Sequence, residues 1–247
     1  MTALQALGGL GLFLLGMIIM TDGLRTLGGD SMRAALMRFT HSPFTGAATG
    51  AISTAILQSS SATTVAAVGF VGAGLLTFPQ SLGIIFGANL GTTITGWLVA
   101  LLGLKLQLGE LVLPLVFVGA ILKLFARDKV SAVGYALAGF SLIFIGITQM
   151  QLGMSGMQGL ITPDNLPEDT WLGRIQLVGL GVIATVITQS SSAGVAATLT
   201  VLYAGAIRFE QAAALVIGMD IGTTVTAAMA VIGGTIEARR TGLAHLF

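Results

Sequence analysis

Cysteine is absent from the 247 residues, which excludes disulfides and thiolate metal sites. Charge is scarce as well: Asp, Glu, Lys and Arg make up 9% of the chain, where a soluble domain carries about a quarter. The two histidines, His41 and His245, fall outside the long apolar runs. There is no Ser/His/Asp arrangement, paired carboxylate, phosphate loop or metal-ligand spacing, so nothing points to an enzyme. What is present is apolar: 54% hydrophobic residues, 35 glycines and a mean hydropathy of +0.94. The chain reads as an integral membrane protein. Its first apolar run lacks a basic flank and a small-residue cleavage site, so it reads as a spanning helix and not as a signal peptide.

Within this apolar background one polar string occurs twice. Gln58-Ser59-Ser60-Ser61-Ala62 returns 131 residues later as Gln189-Ser190-Ser191-Ser192-Ala193. At the same offset Gly87-Ala88-Asn89-Leu90-Gly91-Thr92-Thr93 matches Gly218-Met219-Asp220-Ile221-Gly222-Thr223-Thr224, and Gly74 and Gln80 match Gly205 and Gln211. Of the 38 positions from Gln58 to Thr95, 15 are identical to their mates. A fainter echo at offset 130 links Leu15-Gly16 and Met20 to Gly23 with Ile145-Gly146 and Met150 to Gly153. The chain is expected to be two copies of one unit, residues 1–129 and 130–247.

Each copy reads as a spanning helix, a helical hairpin and an interrupted helix. In the first, Leu4 to Met20 crosses and Thr21 to His41 forms a polar amphipathic stretch. Phe44 to Leu57 and Ala62 to Leu76 flank Gln58-Ser-Ser-Ser as two half-length helices. Short apolar runs meeting at a polar turn describe a re-entrant hairpin. Ser81 to Leu102 is expected to break at Gly87 to Gly91, and Leu111 to Phe125 crosses again. The second copy has Val130 to Met150, a polar loop from Gln151 to Thr170, a hairpin of Leu172 to Thr188 and Ala193 to Ala206, and an interrupted helix from Phe209 to Ile232. No mate of Leu111 to Phe125 follows, so the chain reads as a shortened form of a longer protein. Placed on this topology with the N-terminus outside, eight of the eleven Lys and Arg residues fall on one face, in accord with the positive-inside rule. The hairpins then enter from opposite faces. The fold class is an all-α integral membrane protein with inverted-topology repeats, two re-entrant helical hairpins and interrupted transmembrane helices.

Such hairpins would present free backbone N–H groups, helix N-termini and serine hydroxyls to an anion. For one Ser-rich run, bonding to a preceding carbonyl or a neighbouring helix is the plainer account; two copies in inverted frames turn the balance to binding. No Arg, Lys or His lies in either hairpin or interrupted helix, so a multiply charged anion needs accompanying cations. Oxygen ligands suited to a hard cation such as sodium are Gln58, Asn89, Thr92, Thr93, Gln189, Asp220, Thr223 and Thr224. Asp220 is the acidic residue placed near mid-bilayer, and its mate Asn89 is neutral, so the halves differ in charge.

The duplicated Gln-Ser-Ser-Ser motif, each copy followed by Gly-x-[Asn/Asp]-x-Gly-Thr-Thr, resembles the sodium/phosphate cotransporter II family over essentially the whole chain. The resemblance implies sodium-coupled symport of inorganic phosphate across the cell (inner) membrane by alternating access. It places the anion at Gln58, Ser59, Ser60, Ser61, Gln189, Ser190, Ser191 and Ser192. Sodium serves as coupling ion, with no other cofactor; the partners are phosphate, sodium and the lipid bilayer, with no nucleic acid and a homo-oligomer left open. Transport of another small anion, or a non-transporting phosphate-sensing membrane subunit, are the alternatives.

Overall fold

The computed structural model describes residues 2–157 and 162–245, and every regular element among them is helical. The order is α1 (Thr2–Phe39), α2 (Pro43–Leu57), α3 (Ser60–Gly72), α4 (Phe78–Leu98, running on as a π-helical segment Val99–Lys105), α5 (Leu113–Phe125) and α6 (Asp128–Ser155). A 3-10 turn (Pro163–Asn165) then leads to α7 (Trp171–Thr188), α8 (Ser191–Tyr203), α9 (Phe209–Ala230) and α10 (Ile236–Ala244). Among the described residues five helices are long and apolar enough to cross a membrane: α1, α4 with its π extension, α6, α7 and α9. Large apolar side chains stay exposed, Phe44 by 88% and Trp171 by 82%, as suits surfaces solvated by lipid.

Two compact units emerge. One combines the residues up to Leu27 with Gly96–Met219; the other combines Gly28–Thr95 with the residues from Asp220 on. In the first unit α1 and α6 pack antiparallel along a glycine seam. A Cβ on Gly9 would lie 2.5 Å from the Met150 nitrogen, one on Gly16 2.7 Å from the Ile143 nitrogen, and one on Gly23 2.6 Å from the Ala136 nitrogen. The reverse face supplies Gly139 against Gly16 and Met20, and Gly146 against Gly9 and Phe13. Small residues at intervals of seven let the backbones approach closely, which in lipid is a main source of helix affinity. Around the seam Phe13, Met17 and Met20 of α1 and Ile143, Phe144, Ile147 and Met150 of α6 form a core completed by Val99, Leu104, Ala193 and Ala196.

In the second unit Leu36, Ala67, Val71, Leu76 and Ile84 form the core. There α2 meets α4 backbone to backbone: a Cβ on Gly87 would run into the Ala47 carbonyl, and one on Gly50 into the Ile84 carbonyl. Exactly 131 residues on, in the first unit, Gly218 faces the Val178 carbonyl and Gly181 the Leu215 carbonyl. The repeated sequence therefore builds the same helix packing twice.

Three expectations are corrected. α1 does not divide at Met20: it is one helix of 38 residues, about 57 Å long, because the amphipathic stretch contains no proline and Thr26 returns its hydroxyl to the Asp22 carbonyl. Nor are α4 and α9 interrupted; helix runs straight through Gly87 to Thr93 and Gly218 to Thr224. Their glycines allow close approach to α2 and α7, and Thr92 and Thr93 hydrogen-bond to the Ala88 and Leu90 carbonyls of the same helix. The carbonyls expected to be freed there remain engaged in helix. Third, residues after Ile232 form α10, held by the buried Thr241 hydroxyl 3.1 Å from that of Ser81.

The loop before α7 is pinned at both ends. Arg174 grips Asp169 with two nitrogens, at 2.6 and 3.0 Å, and this guanidinium holds the Asp169 carboxyl below its usual range. Arg208 pairs with Asp164 at 2.6 Å, while Gln211 Nε2 donates to the carbonyls of Pro163 and Pro167.

Candidate functional site

At the end of α2 the chain turns through a single left-handed residue, Gln58 (φ 53°, ψ 34°), and restarts at Ser59 (φ −147°, ψ 94°). Gln58 closes the turn three ways. Its backbone N–H donates to the Thr54 carbonyl at 2.7 Å, Nε2 donates to the Ala55 carbonyl at 2.6 Å, and Oε1 accepts from Thr95 Oγ1 at 2.7 Å. Ser59 is the N-cap of α3, its Oγ accepting from the Ala62 N–H. The N–H groups of Ser60 and Ser61 then lie in the first turn, without intrahelical acceptors and at the positive end of the helix dipole. Both legs of the turn are joined by buried threonines: Thr54 donates to Thr63 Oγ1 at 3.0 Å, and Thr63 to the Ser59 carbonyl at 3.2 Å.

The second copy repeats this angle for angle. Gln189 is left-handed (φ 53°, ψ 25°) and Ser190 extended (φ −147°, ψ 97°). Gln189 Nε2 donates to the Val186 carbonyl at 2.7 Å, Ser190 Oγ accepts from Ala193 N–H, and Ser191 and Ser192 are buried in the first turn of α8. A non-glycine residue at positive φ carries a backbone cost; here the glutamine side chain, which recaptures a carbonyl of the preceding helix, offsets it. The correspondence extends to Gly74 (φ 71°) and Gly205 (φ 74°) and to the glutamines that cap the next helix: Gln80 accepts from the Thr77 N–H as Gln211 does from that of Arg208.

One difference separates the tips. Thr185 stands where Thr54 stands, but Gly194 replaces Thr63, and the Thr185 hydroxyl is buried with no partner. Met219 packs where a Gly194 side chain would go, its Sδ 2.7 Å from that Cβ position.

Of the cation-ligand candidates, Asn89, Thr92, Thr93, Asp220, Thr223 and Thr224 lie on unbroken helix, Asn89 and Asp220 with exposed side chains. Thr224 donates to the Ile221 carbonyl at 2.7 Å; a hydroxyl so engaged still presents lone pairs to a cation. Asn89 Oδ1 lies 3.0 Å from His245 Nε2. His245, expected at a solvated interface, is instead 7% exposed with Nδ1 buried and unpartnered, which favours the neutral ring donating from Nε2. Sequence reasoning missed this pair because the residues lie 156 apart and α10 carries no strong apolar pattern. It also missed Thr54, Thr63 and Thr185, which look like ordinary small membrane residues.

The profile of the Na+/Pi-cotransporter family matches residues 12–152 and 168–244. The chain belongs to this family. Among relatives of this Na+/Pi-cotransporter chain, the uncharacterized protein YqeW of Bacillus subtilis (strain 168) is 29% identical over 242 residues, 95% of this chain and 75% of that protein. The putative inorganic phosphate export protein YjbB of Escherichia coli (strain K12) is 28% identical over 253 residues, all of this chain and 45% of that protein. A shorter stretch of 101 residues, 39% of this chain, is 36% identical to 14% of the human sodium-dependent phosphate transport protein 2B. The chain thus spans three quarters of the first relative and under half of the second. No solved structure matches it.

Proposed function

We propose that the chain moves inorganic phosphate across the membrane coupled to sodium, by alternating access, with the anion held at the two Gln-Ser-Ser-Ser tips. The observation that carries this reading is the tip itself. A left-handed glutamine and an N-cap serine recur with the same backbone angles in both copies, each aiming helix N–H groups and hydroxyls without a basic side chain. Anion affinity then depends on cations at neighbouring oxygens, for which Gln58, Asn89, Thr92, Thr93, Gln189, Asp220, Thr223 and Thr224 are the donor set. In low dielectric an anion without a counter-charge is costly, so sodium and phosphate stabilise each other's binding.

The two copies, residues 1–129 and 130–247, are inverted repeats in this reading. Support comes from the α1–α6 seam. Gly9 and Gly16 have the repeat mates Gly139 and Gly146, and the contacts are exchanged: Gly9 meets Gly146 while Gly16 meets Gly139. Antiparallel packing of equivalent helices with exchanged partners is what a two-fold axis perpendicular to them produces. The N-terminus then lies outside, and the α2–α3 and α7–α8 pairs enter as re-entrant hairpins. α3 and α8, 13 residues each, are about 20 Å long, short of a roughly 30 Å hydrocarbon core.

The test is uptake of labelled phosphate into proteoliposomes with and without an inward sodium gradient. Sodium-dependent accumulation is expected; phosphate binding of equal strength in sodium and in choline would refute the coupling. The name of the Escherichia coli relative favours a second reading, phosphate export, which the same vesicles resolve by loading phosphate inside and reversing the gradient.

A further inference from the structure

A groove of about 720 Å³ runs along α2 in the second unit, walled by the later half of α1. Its two ends differ in chemistry. At one end stand Phe39, His41 and Thr45; at the other, Gly28, Ile56 and Leu57. From Thr45 to Leu57 the helix covers about 18 Å. Polar groups in the wall are spent internally: Thr45 donates to the Ser42 carbonyl and Thr49 to that of Thr45, so the trough is apolar along its length. Charge collects only at the Phe39 end. Arg38, exposed, places its guanidinium 5.6 Å from the centroid of the Phe39 ring, His41 lines the groove itself, and α2 begins at Pro43 with its N-terminus at this mouth. No acidic side chain lines the groove, and Arg33 and Asp30 sit on other faces of α1 by helical spacing.

We infer that this groove binds one anionic phospholipid, its headgroup at Arg38, His41 and the α2 N-terminus and an acyl chain laid along α2 toward Leu57. A single amphiphile matches a trough with cationic groups at one end and none at the other. A helix from a second copy would match the apolar wall but would bring no phosphate to the mouth. The acyl chain would buttress Leu57, the residue before Gln58, so an occupied groove stiffens the first tip. The inference requires the membrane setting but not the transport reading.

The experiment is native mass spectrometry of the purified chain in detergent with added phosphatidylglycerol or phosphatidylcholine. One phosphatidylglycerol should be retained about fivefold better than phosphatidylcholine, the increment expected of one arginine beside an anionic headgroup. Arg38→Gln should equalise the two lipids, and Ala48→Phe, which fills the trough, should abolish retention of both. Equal retention of the two lipids by the unaltered protein, or undiminished retention in Ala48→Phe, overturns the inference. Because the chain has no cysteine, Ile52→Cys gives a clean check on the competing occupant: quantitative disulfide dimers in native membranes would assign the groove to a second copy.

Discussion

Thr54 and Thr185 occupy equivalent positions one turn before the left-handed glutamine, yet their hydroxyls have opposite fates. Thr54 donates to Thr63; Thr185, facing Gly194, is buried and unpartnered. Deleting a made hydrogen bond costs about 0.5–1 kcal/mol, whereas deleting an unmade one relieves a desolvated group. Thr54→Val should therefore lower the melting temperature of the detergent-solubilised protein, and Thr185→Val should leave it unchanged or raise it. Equal losses would show that Thr185 has a partner. If Thr185→Val is neutral in stability yet weakens phosphate binding, its hydroxyl belongs to the site, and the second tip contacts the anion with a group that the first has spent on itself.

Glycine placement sets the elements. Gly8 and Gly11 of α1 have open space around them, while Gly9 and Gly16 abut the α6 backbone. Substituting Leu at Gly16 should destabilise the α1–α6 pair by about 1–3 kcal/mol through overpacking, and the same change at Gly11 should be neutral or better. Unfolding in graded detergent mixtures would measure both; similar losses at the two sites would remove the seam as the reason for the spacing of seven. This seam also explains what could be read in advance. The helix positions and both tips were legible, because apolar runs, Pro43 and a polar string written twice are local signals. The expected interruptions of α4 and α9 were not borne out, because Gly-x-x-x-Gly is ambiguous in sequence: it marks a break where nothing packs on it and a close crossing where a neighbour does. Only the Ala47 and Val178 carbonyls, 40 residues upstream of Gly87 and Gly218, decide between the two. His245 escaped for the same reason, its burial being set by α4, far away in sequence.

At the scale of the whole molecule the repeat is close but not exact, and the inequality is concentrated at one pair of positions. Asn89 and its mate Asp220 lie in the same unit, and Asn89 is the one with a buried imidazole 3.0 Å from its oxygen. A carboxylate at position 220 without a fixed cation near it favours a bound sodium. One at position 89 would instead meet His245, which could take up a proton and satisfy it as an ion pair. The two positions are thus not interchangeable even though the backbone around them repeats. Asp220→Asn should flatten the sodium dependence of phosphate flux more than Asn89→Ala does. The exchanged double variant Asn89→Asp/Asp220→Asn keeps the net charge but should not restore that dependence, because its carboxylate has a built-in counter-charge. Adding His245→Gln to the exchanged variant removes that counter-charge while keeping a donor for position 89, and should return part of the sodium dependence. Restoration by the exchange alone would mean that the two halves treat the charge alike, and that His245 only holds α10 against α4.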